Sequence, residues 1–69
     1  MNISDEIRML CARLNISTAE LARRLGCSPQ NLSSKLRRQS FSINDLEQIA
    51  DVTGAKFIRK FVLLNGEEI

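Results

Sequence analysis

Three segments of the chain share one grammar: ISTAEL at residues 16–21, CSPQNL at 27–32 and FSINDL at 41–46. Each begins with an apolar residue, continues with serine and ends on a leucine four residues after that serine. Serine is a preferred N-cap, because its oxygen accepts a backbone N–H that the first helical turn leaves unpaired. The flanking pairs Ile16/Leu21, Cys27/Leu32 and Phe41/Leu46 have the spacing of hydrophobic staples. Glu20 and Asp45 occupy the third helical position, where an acid completes a capping box. Pro29 takes the first, where a missing N–H costs nothing. Three starts this close together allow only short helices joined by tight turns.

A fourth helix precedes them. In SDEIRMLCARL, residues 4–14, the apolar positions Ile7, Leu10, Cys11 and Leu14 fall at i, i+3, i+4 and i+7, one helical face. Ser4 is the expected cap, with Asp5 and Glu6 at the positive end of the helix dipole. The second helix presents Leu21, Ala22 and Leu25 inward and stops at Gly26. The third has only Leu32 and Leu36. The last presents Leu46, Ile49, Ala50 and Thr53 and stops at Gly54. The expected fold class is mainly α, a compact four-helix domain over residues 1–54 with a helix-turn-helix between the second and third helices. A chain of 69 residues has room for one such core.

Beyond Gly54 the pattern changes. AKFIRKFVLL is rich in β-branched and aromatic residues, so Lys56 to Leu64 is predicted as a strand, with Asn65–Gly66 as a hairpin turn. Phe57, Arg59, Phe61 and Leu63 would share one face, and Ile58, Val62 and Leu64 the other with Lys56 and Lys60, so that from Phe61 on both faces are apolar. A lone strand that is apolar on both faces needs a partner. Residues 55–69 are therefore expected to form a C-terminal β-strand or short hairpin that acts as a dimerisation arm through Phe57, Ile58, Phe61, Val62, Leu63 and Leu64. The alternative is a short local hairpin packed on the helical body.

Several classes of function are disfavoured. The chain has no histidine, and its two cysteines, Cys11 and Cys27, form no CxxC pair. Neither a metal site nor a cofactor is expected, and both thiols should be reduced and buried among leucines. There is no glycine-rich phosphate loop, no paired-carboxylate site and no base for a cysteine nucleophile, so an enzyme is not expected. The longest apolar run, FVLL, is far too short for a membrane span. The start, MNISDEIRML, carries acids where a targeting segment carries bases, and a cytoplasmic location is expected.

Charge is localised. Residues 20–40 hold one acid against five bases, a local +4, while residues 41–69 are −2. On a helical wheel, Leu32 and Leu36 face inward and Gln30, Ser34, Arg37 and Arg38 face outward. Asn31 lies beside that stripe, with Ser33 and Lys35 on its flanks. Glutamine and asparagine match adenine edges in the major groove, serine matches several bases, and cations neutralise phosphates or grip guanine. The expected DNA-binding residues are Thr18, Ser28, Gln30, Asn31, Ser33, Ser34, Lys35, Arg37 and Arg38. Gln30, Asn31 and Ser34 are the base readers. Lys35, Arg37 and Arg38 are phosphate contacts, although Lys35 could also reach a base. Thr18 and the free N–H groups at the start of the second helix would hold another phosphate.

The run ISTAELARRLGCSPQNLSSKLRRQSFSINDLEQIADVTG resembles the phage repressor/Cro-type helix-turn-helix family of XRE-like regulators, and the likeness extends over residues 4–54. The carrying features are Leu-Ala in the second helix, glycine at the turn, serine capping the third helix and an amphipathic helix ending in glycine. The resemblance implies a repressor-like, double-stranded-DNA-binding domain. It implies a phosphate contact at Thr18 and base contacts from Pro29 to Asn31 and at Ser34. The chain departs from the pattern at Pro29, where many members have a polar residue. It departs again after the third helix, where Leu36-Arg37-Arg38-Gln39 replaces a Glu-Asn-Gly-like ending. C-terminal strands pair similarly in Cro-like proteins, and a homodimer would match a pseudo-palindromic site. The reading from a different class is a protein-interaction module, an antitoxin or adaptor, docking through the edge of its C-terminal strand.

Overall fold

The computed structural model describes residues 2–69. It contains four helices, α1 (Ile3–Arg13), α2 (Thr18–Leu25), α3 (Pro29–Arg38) and α4 (Ile43–Thr53). The expected serines cap α2, α3 and α4. Ser17, Ser28 and Ser42 accept the backbone N–H of Glu20, Asn31 and Asp45 at 3.0–3.1 Å. At α4 the box closes reciprocally, with the Ser42 N–H donating to Asp45 at 2.9 Å. At α2 only the serine half forms, because the Glu20 carboxylate turns to Arg23 and Arg24 instead.

The start of α1 differs from expectation. Its cap is Asn2, whose Oδ1 accepts the Asp5 N–H at 2.8 Å. Ser4 lies inside the helix and is buried at 1% exposure. Its hydroxyl donates to the Leu36 carbonyl in the last turn of α3. That carbonyl, among the last four of the helix, otherwise accepts only the long 3.3 Å bond from the Gln39 N–H. A neutral hydroxyl with one good acceptor satisfies the burial requirement and ties α1 to the end of α3.

All four helices close alike. A left-handed residue follows each, namely Asn15, Gly26, Gln39 and Gly54. The next N–H then reaches back five residues: Ile16 to Cys11, Cys27 to Ala22, Ser40 to Lys35 and Ala55 to Ala50, each at 3.0 Å. Gly26 has φ +77° and nothing within 4 Å of where a Cβ would sit, so glycine is favoured there by backbone conformation rather than by space.

The core joins Ile7 and Cys11 of α1, Leu21 and Ala22 of α2, Leu32 and Leu36 of α3, and Leu46 and Ile49 of α4. Leu21 and Ala22 are wholly buried, and α2 packs against each of the other three helices. Ile16, Cys27 and Phe41, the apolar residues before the caps, are half-buried against this cluster. Both cysteines are free thiols, and burial pushes the Cys11 thiol up, against a smaller opposing pull from Arg24.

The C-terminal expectation is corrected. Lys56 to Leu64 does not form a strand. Among the described residues there is one isolated antiparallel bridge, Val62 with Glu68. The Asn65–Gly66 turn does form. Gly66 N–H donates to Leu63 at 2.9 Å, Leu63 N–H to Glu67 at 2.8 Å, and Phe61 and Ile69 exchange both of their backbone bonds. Lys60 and Glu68 pair across it at 2.7 Å. The return arm, residues 67–69, is too short to pair residues 56–60, and a ladder this small has nothing to pack on. Residues 56–69 are all exposed.

Candidate nucleic-acid interface

α2 and α3 are joined by Gly26, Cys27 and Ser28 alone, which sets two short helices at a fixed crossing. Leu32 and Leu36 bury the inner seam of α3 to 2% and 4% exposure. Its remaining faces are turned outward. Gln30, Asn31, Ser33, Arg37 and Arg38 are exposed, and Ser34 and Lys35 are half-buried. Gln30, Ser34 and Arg37 fall at i, i+4 and i+7, one continuous stripe. Pro29 carries no N–H and the Asn31 N–H is taken by Ser28, so Gln30 keeps the one free backbone donor in the first three positions of α3. The Ser28 oxygen is occupied as an acceptor, which leaves its hydroxyl proton for an outside partner.

At the start of α2, the Ser17 oxygen takes the N–H of Glu20. The N–H groups of Thr18 and Ala19 have no intrahelical acceptor. Thr18 is half-buried, with its hydroxyl beside them.

The five cations of residues 20–40 are not equivalent. Arg23 and Arg24 both bind Glu20, and Arg24 also donates to the Val52 carbonyl at 3.3 Å, supplying a cation to the end of α4, which has no basic residue in its last turn. The hydrogen bonds from Arg23 and then Arg24 hold the Glu20 carboxyl below its ordinary pKa. Lys35 lies 3.5 Å from Asp45 in the α4 cap. The Ser42 backbone N–H, more than the Lys35 charge, holds the Asp45 carboxyl low. Arg37 donates to a neutral partner, the Ser34 hydroxyl, at 3.2 Å. Arg38 makes no hydrogen bond or ion pair among the described residues. The uncompensated positive charge of the helix-turn-helix is thus concentrated at the end of α3.

Sequence reasoning missed the Glu20 cluster, although the i, i+3 and i, i+4 spacing to Arg23 and Arg24 was there to find. It missed the Lys35–Asp45 pair for a different reason, since that contact crosses the turn between helices.

No titratable cluster among the described residues could hold a metal ion, and no helix among them is long and apolar enough to cross a membrane. The architecture is that of a helix-turn-helix nucleic-acid-binding domain. The description of the Cro/C1-type HTH DNA-binding domain matches residues 6–57, about three quarters of the chain, and the chain belongs to that family. It is a DNA-binding domain of the transcription-regulator type, from a family that is typically non-enzymatic, and its nucleic-acid partner is double-stranded DNA. Comparison with curated proteins and with solved structures gave no match. The matched span takes in all of α2, α3 and α4 and ends at Phe57, before the hairpin.

Proposed function

We propose that the protein binds a specific duplex sequence by laying α3 in the major groove, as a symmetric dimer and in the cytoplasm. The observation that carries this reading is the outer face of α3, an amide and hydroxyl stripe followed by the two cations that no acid neutralises. Gln30 and Asn31 read base edges, with Ser34 behind them and Ser33 at the flank. Arg38 and Lys35 neutralise phosphate, and Lys35 gives up its exposed pair with Asp45 to do so. Thr18, the two free N–H groups at the start of α2 and the Ser28 hydroxyl anchor the other strand's backbone.

In this reading the chain divides into a DNA-binding body, residues 1–54, and an arm, residues 55–69. Phe57, Ile58, Phe61, Val62, Leu63 and Leu64 are the arm's exposed apolar residues, and Ile58, Phe61 and Leu64 are 78%, 74% and 110% exposed. Association of two arms removes that surface from water. It also places two α3 helices one helical turn apart on a pseudo-palindromic site.

The test is duplex binding as a function of salt. Several cation–phosphate contacts require affinity to fall steeply between low and physiological ionic strength. A salt-insensitive or absent interaction removes the reading, and the docking-module alternative then takes its place. Sedimentation at micromolar concentration should give twice the monomer mass. A monomer that stays single on its duplex refutes the dimer alone.

A further inference from the structure

Arg37 sits near the end of α3, where sequence reasoning makes it a phosphate contact. Its geometry differs from that of every other cation in the helix-turn-helix. Long helical side chains lean toward the helix N-terminus, over the preceding turn. Arg37 does so, and its Nη2 is held by the Ser34 hydroxyl at 3.2 Å. The guanidinium therefore lies back along the Gln30–Ser34 stripe. That stripe is the part of a recognition helix that meets base edges, while the C-terminal end meets the backbone. Ser34 is uncharged, so the contact orients Arg37 without cancelling its charge, unlike the grip of Glu20 on Arg23 and Arg24. One bond to Ser34 leaves the rest of the planar fork free, with paired donors that match two adjacent acceptors. In the major groove that pair is guanine O6 and N7.

We propose that Arg37, positioned by Ser34, is a specificity-determining residue that reads a guanine, extending the reading stripe of α3 by one turn beyond Ser34. This rests on the DNA-binding reading above. Ser34 is a positioning residue in this arrangement, and its hydroxyl proton remains available to a neighbouring base. Arg38, next in sequence and with no such partner, remains a backbone contact.

The experiment is selection from random duplexes with the full chain, followed by affinity measurements over a salt series for R37A, R37K, S34A, S34T and R38A. For R37A, preference for guanine at one position of each half-site falls roughly 5- to 150-fold, with preferences elsewhere kept. R37K preserves the salt dependence but loses most of that same preference, since a point charge does not reproduce the fork. S34A relaxes the same position and S34T restores it, a pattern that loss of a merely structural hydroxyl would not give. R38A weakens all sequences alike and lowers the salt slope by about one.

If R37A also weakens all sequences alike and R37K behaves as the parent, Arg37 is a phosphate anchor and the proposal is overturned while the DNA-binding reading stands. If the parent chain shows no salt-sensitive duplex binding, both are overturned.

Discussion

α2 and α3 both carry arginines in their last turn, and in the sequence they look like one basic patch. The structure separates them. Arg23 and Arg24 are engaged with Glu20, and Arg24 also serves the end of α4. Arg37 and Arg38 face no acid. What a partner meets is therefore set by which cations already have a counter-charge, not by how many lie nearby. α2 is the internal strut of the pair and α3 is its outward surface.

The comparison breaks first at the core. Leu21 of α2 is wholly buried and Leu32 of α3 nearly so. Either Leu→Ala change should cost about 2–5 kcal/mol, enough to unfold much of a domain this small, as read by urea denaturation. If only Leu21→Ala were costly, α3 would be a loosely docked helix and not a fixed reader. The caps come next. Ser17→Ala and Ser28→Ala should each cost roughly 0.5–2 kcal/mol of stability. Ser28→Ala should also weaken duplex binding in proportion to the loss of order at the start of α3.

Charge substitutions separate the two helices most directly. Arg23→Ala should leave the salt dependence of DNA binding unchanged, whereas Arg38→Ala flattens it. Equal flattening by both would show that the Glu20 pairs open on binding. At the end of α3, Gln39 holds φ +53°, a conformation that ordinarily favours glycine. Gln39→Gly should raise stability by up to about 1 kcal/mol in thermal unfolding, with no change in DNA preference.

The smallest effect is that of pH. The Asp45 carboxyl is held below its ordinary range, chiefly by the Ser42 N–H. Its contribution is complete above the unfolded value of about 3.9 and is lost as pH falls through the lower folded value. Asp45→Asn should remove this part of the acid sensitivity below about pH 4 while keeping an acceptor for Ser42.

The helices were legible because their signals are local. A serine, the apolar residue before it and the leucine after it lie within six residues, so Ser17, Ser28 and Ser42 could be placed as caps without knowing the fold. Ser4 shows the limit. As a serine near a helix start it looked like a cap, but its acceptor is the Leu36 carbonyl, 32 residues away. The tail failed for a related reason. Phe57 to Leu64 has strand composition, but a strand is made by a neighbouring strand, and the chain supplies only three residues of one. Of the interface, the polar stripe of α3 followed from helical periodicity. Whether each cation was free did not, because the Lys35–Asp45 pair depends on how two helices meet.

Ile16 and Cys27 each hold two offices. The N–H of each seals the helix behind it, and its side chain, just before the next serine, helps seat the helix ahead. No residue in the α2–α3 joint is spare, so the reading head has no hinge of its own. A poor match between helix and groove must then be accommodated by the duplex, through bends at its more pliable steps. Hydrogen exchange at Cys27 should be as slow without DNA as with it, and the choice of site should depend partly on bases that no side chain touches.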